Sequence, residues 1–342
     1  MLTIMKLITS KSFLFIACIL QLFACSDDAA LQKLSLAQVD AWMYQLQDLN
    51  DEVKLTALAQ TEYPLLVIEP GFNFSEFPYD TAHIMSQLKT TPDGRERVIL
   101  AYIDIGQAED YRSYWQTDWV APTQTTLGSP DYLLAPDPDN WSGNYQVAYW
   151  NSAWKNLWLG NSGLIEQIAA YGFDGIYLDW VEAYDDVSVQ AAATNEGVDV
   201  ALEMIQFIEA LGAVGKAKRS PFYVVPQNAP YLIDFAPDRY VAAIDALAVE
   251  DTWWHGDGDV PWDDPRAGDL HERHSDSGWT TPDRLLQYTV YQEYGLPIFS
   301  VDYCISSSNA EQVYRDASAA GLIPLVTRVS LEQLTVTPPS GY

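Results

Sequence analysis

Gly172-Phe173-Asp174-Gly175-Ile176-Tyr177-Leu178-Asp179 reads as the entry into, and the length of, one buried parallel β-strand. A helix-like segment, Gly163–Tyr171, runs into it, the core from Gly175 to Leu178 is unbroken by charge, and the run ends on a carboxylate. A strand that is apolar on both faces must be covered on both faces, which is the habit of parallel sheets wrapped by helices. The same grammar recurs outward in both directions, at Trp42–Leu46, Leu65–Glu69, Val98–Asp104, Phe222–Gln227, Ala246–Glu250, Ile298–Tyr303 and Ile323–Thr327. Helical patterns sit between these runs, at Glu52–Gln60, Ala82–Leu88, Val198–Leu211, Pro230–Arg239 (short and weak), Asp283–Tyr294 and Asn309–Ala320. Strand alternating with helix predicts βαβ units and a parallel sheet. Eight such strands, with no Gly-rich phosphate loop after the first, favour a closed (β/α)8 TIM barrel over an open doubly wound sheet.

Two long insertions break the rhythm, residues 107–162 after the third strand and 251–280 after the sixth. Both leave from strand C-termini, the face on which barrel enzymes keep their chemistry. The polar residues collect at those same ends: Glu69, Asp104, Asp179-Trp180, Gln227-Asn228, Glu250-Asp251 and Asp302-Tyr303. In a barrel these ends converge on one mouth. Several carboxyls at one mouth suit glycoside hydrolysis, where one acid protonates the leaving oxygen and another attacks the anomeric carbon or activates water. Only four histidines are present, and no Ser-His-Asp order is evident.

The bulk composition agrees. The chain has 342 residues, 48% hydrophobic and 19% charged, enough apolar material for one large core. With 47 acids against 18 bases the formal charge is −29, which repels a phosphate backbone and argues against nucleic acid as a partner. The 12 Trp and 21 Tyr suit sugar stacking as well as core packing. The three cysteines, Cys18, Cys25 and Cys304, make no disulfide framework. His255, His271 and His274 lack zinc-helix spacing, and Asp257-Gly258-Asp259 does not complete a calcium loop, so no metal and no cofactor is expected.

The N-terminus reads as an export leader over residues 1–24, with Lys6 and Lys11 before the apolar run Phe13–Leu20. Leu22-Phe23-Ala24-Cys25 resembles a bacterial lipobox, which makes Cys25 the acylated residue, 25–35 a tether and a lipid anchor the one membrane contact. Ser26 after that cysteine is compatible with the outer membrane. The barrel domain is expected over 36–335, followed by a loose tail, 336–342.

Beyond this pattern, the chain resembles glycoside hydrolase family 114, the family of the endo-α-1,4-polygalactosaminidases, part of which once carried a cysteinyl-tRNA synthetase-related label. The resemblance rests on Val98-Ile99-Leu100-Ala101-Tyr102-Ile103-Asp104-Ile105-Gly106-Gln107-Ala108-Glu109-Asp110-Tyr111-Arg112, on Gly172–Asp179, on Pro226-Gln227-Asn228, Val249-Glu250-Asp251 and Val301-Asp302-Tyr303, and on Trp42–Gln47, in the expected order over residues 40–330. The chain carries Asp-Gly-Ile-Tyr-Leu-Asp where other members carry Asp-Gly-Val-Glu-Pro-Asp. The resemblance implies a hydrolase of α-1,4-linked galactosamine-type polysaccharide, with Asp179 as nucleophile and Glu250 as general acid/base. Their carboxyls are expected about 5–6 Å apart, the spacing of a retaining mechanism. Tyr102, Asp104, Trp150, Asn228, Asp302 and Tyr303 are the candidates to hold the sugar. Asp174, at the opposite end of its strand, is expected to be a turn or cap residue, and Glu109 and Arg112 to pair with one another. A carbohydrate-binding lipoprotein on the same barrel, or a hydrolase of another glycan, is the rival reading.

Overall fold

The computed structural model describes residues 34–271 and 278–335, all within one compact unit, Lys33–Tyr342. The expected leader, Cys25, nearly all of the tether and the 336–342 tail lie outside the described residues.

Eight parallel strands follow one another around the molecule: β1 (Trp42–Gln45), β2 (Leu65–Ile68), β3 (Val98–Asp104), β4 (Gly175–Asp179), β5 (Tyr223–Pro226), β6 (Leu247–Glu250), β7 (Ile298–Tyr303) and β8 (Ile323–Thr327). β1 to β5 form one five-stranded ladder, and β6 to β8 form a second of three strands. One seam is closed by Asp245 N–H to Val224 O and Asn228 N–H to Ala248 O, both 2.8 Å. The other is crossed by Trp42, whose indole N–H donates to Ile323 O at 3.0 Å, joining β1 to β8. The fold is a (β/α)8 barrel. Its interior is packed with rings rather than open, with Trp42 5.5 Å from Phe299 and Tyr44 5.1 Å from Tyr177 between centroids.

The chain's acidity is partly spent on helix starts. Asp51, Asp80, Asp186 and Asp199 each accept the first free N–H groups of the helices Glu52–Ala59, Thr81–Leu88, Val187–Glu196 and Val200–Lys218. Helix Leu164–Tyr171 ends at Gly172 in the left-handed region (φ +94°), which turns the chain directly into β4.

The two insertions carry structure of their own, and one expectation, Asp174, needs correction. The 107–162 insertion holds an antiparallel sheet of Gln107–Glu109, Asn144–Val147 and Leu133–Pro136, followed by the helix Ser152–Leu159. The 251–280 insertion contains the short hairpin Trp254–His255 with Leu270–His271, while 272–277 lie outside the described residues. Asp174 is neither turn nor cap. It is fully buried and accepts from Ile99 N–H at 3.0 Å, Lys89 Nζ at 3.3 Å and Arg219 Nη2 at 2.8 Å, tying the lower ends of β3 and β4 to two cations.

Candidate active site

The strand C-termini open into a cavity of about 830 Å³, lined by Asp179 of β4, Asn228 after β5, Glu250 of β6 and Tyr303 of β7. Asp179 is half-buried. Its Oδ2 accepts from Tyr102 OH at 2.6 Å and its Oδ1 from Trp180 N–H at 2.8 Å. Burial, and then the nearby Glu250, raise its pKa to about 7, although both hydrogen bonds pull it down. Glu250 is held by Tyr303 OH on one oxygen and by Gln227 Nε2 and Asn228 Nδ2 (3.2 Å) on the other. Asn228 also accepts from Glu250 N–H at 3.0 Å, so one side chain fixes both the backbone and the carboxyl of Glu250. Tyr44 OH steadies Gln227 at 3.2 Å.

The backbone turns sharply at each of these ends. Trp180, Asn228 and Asp251 follow the ends of β4, β5 and β6 and have φ of 53°, 56° and 56°. Left-handed conformations at non-glycine residues cost on the order of 1 kcal/mol or more each, and they gather where a fold over-determines a site. Gly106 permits the approach of two such ends, since a Cβ there would stand 2.2 Å from Trp180 O.

Three of the expected sugar contacts are not at the cleft. Asp104 is fully buried and its Oδ1 accepts from Gly106 and Gln107 N–H at 3.0 and 2.8 Å, so it shapes the exit of β3. Burial and the neighbouring Asp179 hold it well above the ordinary carboxylate range. Asp302 is also fully buried, accepts from Trp253 and Trp254 N–H at 2.6 and 2.8 Å, and is pushed by burial to about 7. Trp150 turns away and donates to Glu196 at 2.8 Å. Tyr102, Asn228 and Tyr303 do line the cleft, with their polar atoms on Asp179 and Glu250.

The strand-end reading missed one group and named the members of a second without joining them. Glu182 lines the cavity from the turn Val181–Asp185; Oε1 accepts from Asn228 at 3.3 Å, and Oε2 has no partner among the described residues. Burial, then Asp179, keeps its carboxyl well above the usual range. Its signal was its place three residues past Asp179. The second group is an ion cluster. Arg112 forks onto both oxygens of Glu69 (2.7 and 3.0 Å) and both of Glu109 (2.8 and 2.9 Å), with Phe74 and Tyr111 rings against the guanidinium. The expected Glu109–Arg112 pair is therefore present, with Glu69 as its third member. Among the described residues no cluster of His, Cys, Asp and Glu is placed to hold a metal ion, and no helix is long and apolar enough to cross a membrane. Cys304 is a buried free thiol.

A (β/α)8 barrel with interacting carboxyls at its C-terminal mouth defines the class, a TIM-barrel glycosidase. Residues 27–341 match the model of glycoside-hydrolase family GH114, and the chain belongs to that family. It is 30% identical over 308 residues to an uncharacterized protein of Deinococcus radiodurans, covering 90% of this chain and 86% of that one. An uncharacterized protein of Thermotoga maritima is 27% identical over 335 residues, 94% and 91% of the two chains. The Ega3 structure from Aspergillus fumigatus, in complex with galactosamine, superposes with a TM-score of 0.58 at 16% identity, over 88% of this chain and 95% of that one. The glycoside hydrolase domain of PelA from Pseudomonas aeruginosa gives 0.58 at 15% identity, over 87% and 98%. These two likenesses carry the fold.

Proposed function

We propose that the protein is an exported, lipid-anchored glycosidase that cleaves an α-1,4-linked galactosamine-type polysaccharide with retention, using Asp179 as nucleophile and Glu250 as general acid/base. The observation that carries this reading is the pairing itself: two carboxyls on β4 and β6 line one cleft, and the charge of Glu250 raises the proton affinity of Asp179. Such a pair gives up its protons in two steps that belong to both groups. With Asp179 raised to about 7, it keeps one proton up to near neutrality, the stoichiometry that double displacement needs. The glycosidic oxygen beside Glu250 draws that proton to Glu250, and Asp179 stays ionised between Tyr102 OH and Trp180 N–H. Asp179 then attacks the anomeric carbon as Glu250 protonates the leaving oxygen. Water enters next, loses its proton to Glu250 and frees the sugar from Asp179.

An acidic cleft supports a cationic substrate. Among the described residues, Arg112 and Arg284 are the cations along its lining, the first held by Glu69 and Glu109 and the second by the carbonyls of Glu250 and Asp251. The galactosamine bound to Ega3 points the same way. Export and anchoring rest on the leader and Cys25. The test is incubation of leader-free protein, and of Asp179→Asn and Glu250→Gln, with partly deacetylated α-1,4-galactosaminogalactan, with released oligosaccharides followed by mass spectrometry. Cleavage by the parent that collapses in both variants is expected. Intact polymer with the parent would overturn the substrate assignment.

A further inference from the structure

The cleft carries an aromatic surface that the Asp179–Glu250 pair does not use. Trp141 lies between the strands Leu133–Pro136 and Asn144–Val147 of the first insertion, lines the cavity and is 37% exposed. It is held in place. Its backbone N–H donates to Asp137 Oδ1 at 2.9 Å, and Asp137 Oδ2 takes a 2.6 Å bond from the fully buried Gln107. Its ring rests on the backbone of the second insertion at Gly258, where a Cβ would stand 3.0 Å from Trp141 Cε2. The two insertions therefore meet at an indole, and the absence of a side chain at 258 is what lets them meet. Asp139 from one insertion and Asp259 from the other line the cavity beside it, and both are exposed. An aromatic face flanked by carboxylates suits an amino sugar, whose C–H face stacks on the ring while its ammonium is drawn to the π face and to the acids.

We propose that Trp141, with Asp139 and Asp259, forms a subsite for an amino-sugar unit of the polymer other than the one whose bond is cleaved, built where the two insertions touch. This rests on the reading of the protein as an amino-sugar polymer hydrolase, and it adds that affinity grows with chain length through one indole. An aromatic–cation platform of this kind is worth about tenfold in affinity.

The test uses the Asp179→Asn protein, chosen so that oligomers are not cleaved during the titration, and galactosamine oligomers from two to seven units titrated by calorimetry. Affinity is expected to rise with length until the oligomer reaches Trp141. Adding Trp141→Ala should remove about tenfold from the long oligomers and leave the dimer unchanged, with Trp141→Phe intermediate. Gly258→Val, which displaces the indole without deleting it, should lower the same long-oligomer affinity. N-acetylation of the long oligomers, which removes the ammonium, should reduce the dependence on Trp141. Length-dependent binding that is indifferent to Trp141 would overturn the subsite alone. Trp141-dependent binding with no hydrolysis by the parent would sustain the subsite and overturn the hydrolase reading. No binding at any length would overturn both.

Discussion

Asp104, Asp179 and Asp302 look alike in the sequence, since each ends an apolar run, yet only Asp179 reaches the cleft. The difference lies in how many backbone N–H groups fold back onto the carboxyl. Asp104 captures those of Gly106 and Gln107, and Asp302 captures those of Trp253 and Trp254, so both become supports of the turns around them. Asp179 captures only that of Trp180, because the left-handed Trp180 swings the chain away. For Asp104 and Asp179 that choice is made by the loops that follow, whereas Asp302 is turned from the cleft by strand alternation, since the adjacent Tyr303 faces it, and is captured by the segment after β6. The electrostatic consequence for Asp179 is testable. Glu250 raises Asp179, so removing its charge must lower Asp179: in Glu250→Gln the carboxyl that titrates near 7 should move down toward the ordinary range. Carbon-13 NMR of labelled aspartate, with Asp179→Asn to assign the resonance, reads this directly. A titration that stays near 7 in Glu250→Gln would mean that burial alone sets it and that the two carboxyls do not act as a pair.

The barrel strands were legible because their apolar runs are nearly continuous, and β3, β4, β7 and β8 fall where the pattern places them. The first insertion was not. Its strands, Gln107–Glu109, Leu133–Pro136 and Asn144–Val147, are three or four residues long and pair only with one another, too short for any period to show. Helix Val187–Glu196 was missed for a related reason: it buries only Val189 and Ala193 and has no apolar stripe. One of the links that join the insertion to the barrel is Arg112, which bridges Glu109 of the insertion to Glu69 beyond β2. Burial pushes Glu69 up in pKa and Arg112 pulls it down, so removing the guanidinium leaves two carboxyls buried without a counter-charge. Arg112→Ala should therefore cost roughly 3–5 kcal/mol in urea unfolding, the usual range for orphaning a buried ion-pair partner. Arg112→Lys should recover only part of this, because an ammonium cannot fork onto two carboxyls at once. A loss below about 1 kcal/mol for Arg112→Ala would show that the insertion is held by its packing and that the cluster is incidental.

The chain as a whole carries a formal charge of −29 and buries carboxyls whose folded state favours the proton. Asp302 goes from 3.8 to about 7 on folding, and Asp104 and Glu182 also lie well above their ordinary values. The sign is the reverse of the usual acid. Between the unfolded and folded pKa the native state holds a proton that the unfolded chain has released, so stability falls as pH rises through that window. Each such group removes up to about 1.4 kcal/mol per pH unit there. Mutual repulsion among the remaining acids grows in the same direction. Thermal unfolding should accordingly give a higher Tm near pH 5 than near pH 8, with the loss concentrated between about pH 4 and 7 for Asp302. Asp302→Asn isolates this contribution, because the amide oxygen still accepts from Trp253 and Trp254 while nothing remains to ionise. The variant should match the parent near pH 4 and exceed it above pH 7, flattening the slope. A parent that is more stable at pH 8 than at pH 5, or an Asp302→Asn protein with an unchanged slope, would mean that Asp302 is ionised in the fold, with its charge absorbed by the two N–H groups and Arg284.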